Sequence, residues 1–181
     1  QTNVFDLRGD MAGYNGTISF IGSSTMRMNG SLGSSAATFD LGNSSFFSKR
    51  SNAATINLGA LTGGSGTSLS GATGGGNTTA TTYVIGANGT STTFAGAISN
   101  GGGTTGITKA GAGTLTLTGT GSYTGATAVN TGTLRVNGTL GATATTVASG
   151  ATLGGSGSIG GQVTLQTGAS VSPGSSSGNV S

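Results

Sequence analysis

The chain has 181 residues, 39 of them glycine, with 33% hydrophobic residues, only 5% charged residues and a formal net charge of +3. Ordinary soluble domains carry roughly 25% charged residues, so this is not the composition of an average globular enzyme. His, Cys, Glu and Trp are absent, which removes Ser-His-Asp and Cys-His nucleophiles, the usual zinc ligand sets and any disulfide from consideration.

The six basic residues are Arg8, Arg27, Lys49, Arg50, Lys109 and Arg135, and only Lys49 and Arg50 are adjacent. A nucleic-acid surface needs a basic stripe with interleaved aromatics, and none is present, so no nucleic-acid partner is expected. No run of 18 apolar residues occurs, so no transmembrane segment is expected. Two of Asp6, Asp10 and Asp40 would be needed for paired-carboxylate hydrolysis. Asp6 and Asp10 flank Arg8 in what reads as a solvated turn, and Asp40 with Lys49 and Arg50 offers one carboxylate where calcium needs several. The expectation is a protein that is not an enzyme and takes no cofactor or metal.

In chain order, Val4, Phe5 and Leu7 read as a short entering strand. Arg8-Gly9-Asp10 spells a tripeptide found on adhesive loops, but here it is better read as a glycine turn between charges. Tyr14 to Gly42 follows as a first pair of units, with Ile18, Phe20, Met26, Met28, Leu32, Phe39 and Leu41 as candidate core. Ile56, Leu58, Leu61 and Leu69 continue the apolar series. The Gly/Thr-rich stretch 71–82 reads as a loop pushed out of the regular structure, after which Tyr83, Val84, Ile85, Phe94 and Ile98 resume it.

From Gly113 onward one pattern repeats. Leu115, Leu134, Leu153 and Val171 stand 19, 19 and 18 residues apart, and Val129, Val147 and Leu165 stand 18 and 18 apart. Units of that size, rich in β-branched residues and glycine, can bury their apolar residues only by stacking on the next unit. Alternation at period two turns Leu134 and Val136 inward and Arg135 outward. Gly138, Gly141, Gly150, Gly157, Gly160 and Gly168 fall at the corners, where they supply unusual backbone conformations. Gly155 to Gly160 also matches the dinucleotide fingerprint Gly-x-Gly-x-x-Gly, but with no following helix or acid it reads as corners. The fold expected is all-β: a parallel β-helix, or β-solenoid, of about 18–19 residues per coil. Thr25 to Gly42 superposes on Thr133 to Gly150 at an offset of 108 residues, six such coils, so residues 1–181 read as one continuous solenoid of around ten coils. Leu153, Ile159, Leu165 and Val171, spaced by six, leave a left-handed triangular form as the alternative to a right-handed one.

The segment Thr93 to Gly138 resembles the autotransporter-associated β-strand repeat, also called the passenger-associated transport repeat. The resemblance rests on Lys109, Gly111, Gly113, Thr114, Leu115, Leu117, Gly119, Tyr123, Gly125, Gly132, Leu134 and Gly138. It implies a secreted or surface-exposed right-handed β-helix of a bacterial protein, with no catalytic residues in the repeat. The lack of cysteine suits a chain that crosses an outer membrane unfolded, and a start at Gln1 suits a removed secretory signal.

The function expected is therefore an extracellular structural rod or fibre component, with a glycan-binding adhesin, a passenger segment or the scaffold of a polysaccharide-active enzyme as alternatives. Two sets of contact residues follow. Open solenoid ends expose strand edges, so self-association is expected through Val4, Phe5, Leu7 and Val180. Tyr14 and Tyr123 could contact surface glycans, although a ring covering bare glycine backbone is the favoured reading for both. An ice-binding face built on Thr114, Thr116 and Thr118 is not expected, since Thr116 is followed one coil later by Arg135 and then by Gly154.

Overall fold

The computed structural model describes residues 4–30, 32–50, 54–73 and 78–174. Among the described residues there are 21 strands, numbered β1 to β21 in chain order, and no helix. Every strand pairing is parallel. The strands form a β-solenoid of about 8 turns with ~21 residues per coil.

The first face of the solenoid is an eight-stranded sheet in the order β1 (Val4–Leu7), β3 (Thr25–Met28), β5 (Phe46–Lys49), β7 (Ser68–Ala72), β10 (Ala97–Ser99), β13 (Thr120–Gly121), β16 (Thr139–Leu140) and β19 (Ser158–Ile159). The second runs β2 (Thr17–Ser19), β4 (Gly33–Asp40), β6 (Ala54–Thr62), β8 (Thr81–Ile85), β11 (Thr105–Lys109), β14 (Thr127–Val129), β17 (Thr145–Val147) and β20 (Val163–Leu165). The third comprises β9 (Thr92–Phe94), β12 (Thr114–Leu117), β15 (Thr133–Val136), β18 (Thr152–Gly155) and β21 (Ser170–Pro173).

The second and third faces are fused at the N-terminal end. The long strand β6 stacks its first half, Ala54 to Leu58, on β8, while its second half stacks on Thr38 to Asp40 of β4, which in turn stack on β2. A bridge from Gly63 to Phe94 carries that second half onto β9, the first strand of the separate third face. The pairing of β4 with β6 shifts register between Ser34 and Thr38, which lets one strand turn the corner. From β9 onward each coil has three short strands.

Register gives the coil length directly. On the first face Val4 pairs with Thr25, Thr25 with Phe46 and Phe46 with Ser68, intervals of 21, 21 and 22 residues. Ser68 pairs with Ala97 and Ile98 with Gly121, intervals of 29 and 23, after which Thr120, Thr139 and Ser158 follow at 19 and 19. The expected 18–19 residues thus hold for the C-terminal coils, and the N-terminal coils are longer. That corrects the coil count from around ten to about eight, and at about 4.8 Å per rung the stack is roughly 35–40 Å long.

The internal superposition also fails in phase. Thr25 to Met28 lies on the first face and Thr133 to Val136 on the third, with four coils between Thr25 and the first-face residue Thr120. The shared Thr-x-Arg-x-Asn-Gly marks a strand followed by a corner, and such a unit serves on either face.

Core composition follows coil size. Phe47 sits at the hub of the wide coils, with Phe20, Phe39 and Tyr83 edge-on to it at centroid distances of 6.4, 6.0 and 6.0 Å. The narrower coils are filled by Leu115, Leu117, Val129, Leu134, Val136, Val147 and Leu153, all buried. Leu115, Leu134, Leu153 and Val171 stack in register on the third face, and Val129, Val147 and Leu165 do so on the second, as the spacing predicts. Leu32 was expected in the core and is instead 54% exposed. Of the expected loop 71–82, Gly71 and Ala72 end β7, Thr81 and Thr82 open β8, and 74–77 lie outside the described residues. This is the longest coil, as an insertion there requires.

Candidate functional site

The two ends of the solenoid differ in chemistry. At the N-terminal end Val4 and Phe5 on β1 are 47% and 60% exposed, while Leu7 is half-buried against the core. Phe5, Ile18, Phe20, Ile21 and Met26 line an open apolar hollow there of about 240 Å³. On the last described coil Val163, Leu165 and Val171 are exposed, and a hollow of about 300 Å³ opens between Leu153, Ile159, Val171 and Pro173. Val180, the remaining expected contact, lies outside the described residues.

The outer side of the first face at the N-terminal end gathers four of the nine charged side chains. Asp6 accepts from Arg27 Nε at 2.9 Å and from Arg50 at 2.7 Å, with Arg8 at 3.7 Å, so one carboxylate links three consecutive coils. Partial burial pushes the Asp6 carboxyl up, but the hydrogen bond and charge of Arg27, joined by Arg50, outweigh it and hold it below the ordinary 3.8. The expected grouping of Asp40, Lys49 and Arg50 is not formed. Asp40 accepts from Thr62 and from the Gly42 amide, Arg50 goes to Asp6, and Lys49 is buried facing the bore.

The two tyrosines part company. Tyr123 is fully buried, so it presents nothing to a glycan; its hydroxyl shares a 2.7 Å hydrogen bond with Thr127, and burial pushes its pKa up to about 12. Thr127 shares a bond with Thr143, whose hydroxyl donates to the Gly125 carbonyl, tying neighbouring coils together. Tyr14 is 43% exposed and donates to the Thr17 carbonyl, with its ring over Gly16 so closely that a Cβ there would overlap it.

Lys109 has a structural part that sequence reasoning did not assign. It ends β11 with its side chain turned into the bore, 1% exposed, and its ammonium donates to the carbonyls of Ala110 at 2.6 Å, Gly111 at 2.8 Å and Thr131 at 3.3 Å. Thr131 belongs to the next coil, so the lysine fastens two successive corners. Both corners carry a glycine in the left-handed region, Gly111 at φ 71° and Gly132 at φ 65°. Asn100 was also missed: its carbonyl accepts from the amides of Thr105 and Thr124, and its amide donates to the Thr124 hydroxyl. A lone Asn among glycines gave no periodic signal.

Residues 107–136 match the family model described as the passenger-associated-transport-repeat. The chain carries a passenger-associated transport repeat. The match runs from within β11 to the end of β15, about one and a half coils, inside the 93–138 read from sequence. Within the repeat, Lys109, Gly111 and Gly132 build the fastened corner, Leu115, Leu117 and Leu134 fill the bore, and Tyr123 closes the turn into β14. No curated protein and no solved structure matches the chain. Among the described residues no helix is long and apolar enough to cross a membrane.

Proposed function

We propose that the chain is a non-catalytic segment of a secreted or surface-exposed bacterial passenger and serves as a rigid β-solenoid rod. The observation that carries this reading is the register of inward side chains, from Met26 and Phe47 through Leu69, Ile98 and Leu140, interrupted at Gly121, where the Leu140 and Tyr123 side chains close in, so that each coil is supported by its neighbours. Such a stack resists bending and holds whatever is attached to its two ends a fixed distance apart. The passenger-associated repeat supports delivery to the cell exterior. Protease treatment of intact producing cells, with an antibody against the chain, tests this. Digestion of the chain, or its release into the medium, is expected; retention inside intact cells would remove the proposal.

A second reading, end-on stacking, is favoured by the exposed Val4 and Phe5 at one end and Val163, Leu165 and Val171 on the last described coil. Open parallel edges accept either further coils of the same polypeptide or a second copy. With a second copy the contact is head-to-tail and does not close, so unbranched fibres follow. Electron microscopy of the purified chain should show fibres that Phe5→Asp shortens. Single particles of one rod length at high concentration would leave only the first alternative.

A further inference from the structure

The outer side of the third face carries two parallel rows. One is Thr114, Thr133, Thr152 and Ser170; the other is Thr93, Thr116, Arg135, Gly154 and Ser172. The rungs repeat at about 4.8 Å, and the first row offers a hydroxyl at every step while the second offers one at either side of Arg135 and Gly154. Arg135 is half-buried at the centre of this surface and makes no ion pair or hydrogen bond among the described residues. It forms the shared wall of two shallow troughs. One, of about 450 Å³, reaches back over Thr93, Thr116 and Asn137, and the other, of about 220 Å³, reaches forward over Thr133, Thr152 and Gly154.

Three features set this surface apart from an ordinary solvated patch. Arg135 is the sole charged side chain after Lys109 in the whole sequence, so no carboxylate competes for it on these coils. The residue stacked beside it is Gly154, which lines the smaller trough next to the guanidinium, with the Ser172 carbonyl close against it. The hydroxyls of Thr114, Thr116, Thr133 and Thr152 make no hydrogen bond within the protein among the described residues, leaving donors and acceptors on both sides of the cation. A planar guanidinium pairs best with a planar oxyanion, two bonds at a time.

We propose that this face binds an acidic polysaccharide, with a uronate carboxylate paired to Arg135 in the trough lined by Thr133, Thr152 and Gly154 and the flanking sugar hydroxyls bonded to the neighbouring threonines. A chain laid along the solenoid axis crosses successive rungs, so units on either side of the uronate lie in the two troughs. The site is separate from both tyrosines, and its test succeeds or fails whether or not the chain is a surface rod.

The test is an NMR titration with tetragalacturonate, with the neutral galactose tetramer and inorganic sulfate as parallel probes. Shifts are expected on the amides of β12, β15 and β18. Affinity should fall roughly fivefold or more in Arg135→Gln and by a smaller factor in Thr133→Val, with Arg8→Gln unchanged. Arg135 points outward, so the variant keeps the fold, which its unchanged melting temperature would verify. Equal binding of the neutral tetramer, undiminished binding by Arg135→Gln, or no saturation by about 10 mM tetragalacturonate would each overturn the proposal. Sulfate binding as tightly as the tetrasaccharide would overturn the polysaccharide part and leave a bare anion point.

Discussion

Two buried lysines face the bore in different circumstances, and the difference predicts opposite responses to the same substitution. Lys109 donates to three corner carbonyls, whereas the ammonium of Lys49, a residue 5% exposed between Met28 and Ala72, has no hydrogen-bond or ion-pair partner among the described residues. Burial pushes both ammonium groups below the ordinary 10.5. Lys109→Met removes the donors of three carbonyls and should destabilise by about 2 kcal/mol, while Lys49→Met should fall within about 1 kcal/mol of the parent, on the stabilising side. Urea denaturation of the pair measures this, and equal losses would show that Lys109 does not fasten its corner. On β15, Leu134→Asp should cost about 4 kcal/mol or more and Arg135→Thr about 0.5 kcal/mol or less, because the first buries an unpaired charge and the second changes an outward position. Asp6 sets the acid response. Its folded pKa lies below the unfolded 3.8, so its contribution is complete above 3.8 and is lost as pH falls through the folded value. Melting temperatures measured from pH about 5 down to about 2 should fall in the parent and flatten in Asp6→Asn.

At the scale of strands and corners, glycine is required for two different reasons. Gly111 and Gly89 both take positive φ, 71° and 80°, but a Cβ on Gly111 would overlap the Gly86 carbonyl of the preceding coil while one on Gly89 meets open space. Gly89→Ala should therefore cost about 1 kcal/mol for the left-handed backbone alone, and Gly111→Ala about 3 kcal/mol or more, as thermal melts would report. Strand polarity and the 19- and 18-residue spacings of Leu134, Leu153 and Val171 were legible because the C-terminal coils are minimal: three faces of about six residues leave little room for variation. The N-terminal coils were misphased because β4 and β6 each cover two faces in one long strand, and because extra residues between β7 and β8 alter the interval without leaving an apolar mark. Tyr123 was legible as a turn residue but not as a buried one. Its partner Thr127 lies 4 residues away and bonds in turn to Thr143, 16 residues further on, and an isolated threonine in this sequence carries no signal.

Across the whole molecule the solenoid narrows along its axis, from 21 or more residues per coil filled by Phe20, Phe39, Phe47 and Tyr83 to 18–19 filled by aliphatic side chains. Large rings and long coils belong together, since a wider bore must be filled to the same density. Phe47→Leu should then cost about 2 kcal/mol by opening a cavity that its three edge-on neighbours cannot close, and a calorimetric melt would detect it. The Asp6 cluster, at a net +2 with Arg8, Arg27 and Arg50, and Arg135, at +1, lie in opposite halves of this taper and together equal the net charge of +3. The corner at Lys109 carries a further consequence. Carbonyls of adjoining turns are the ligands that calcium takes in many proteins outside the cell, and an ion gathered from the medium can be withdrawn again by a chelator or by dilution. Here the cation is tethered to the strand that it secures, so this joint closes as the strand forms, whatever divalent ions the surroundings contain.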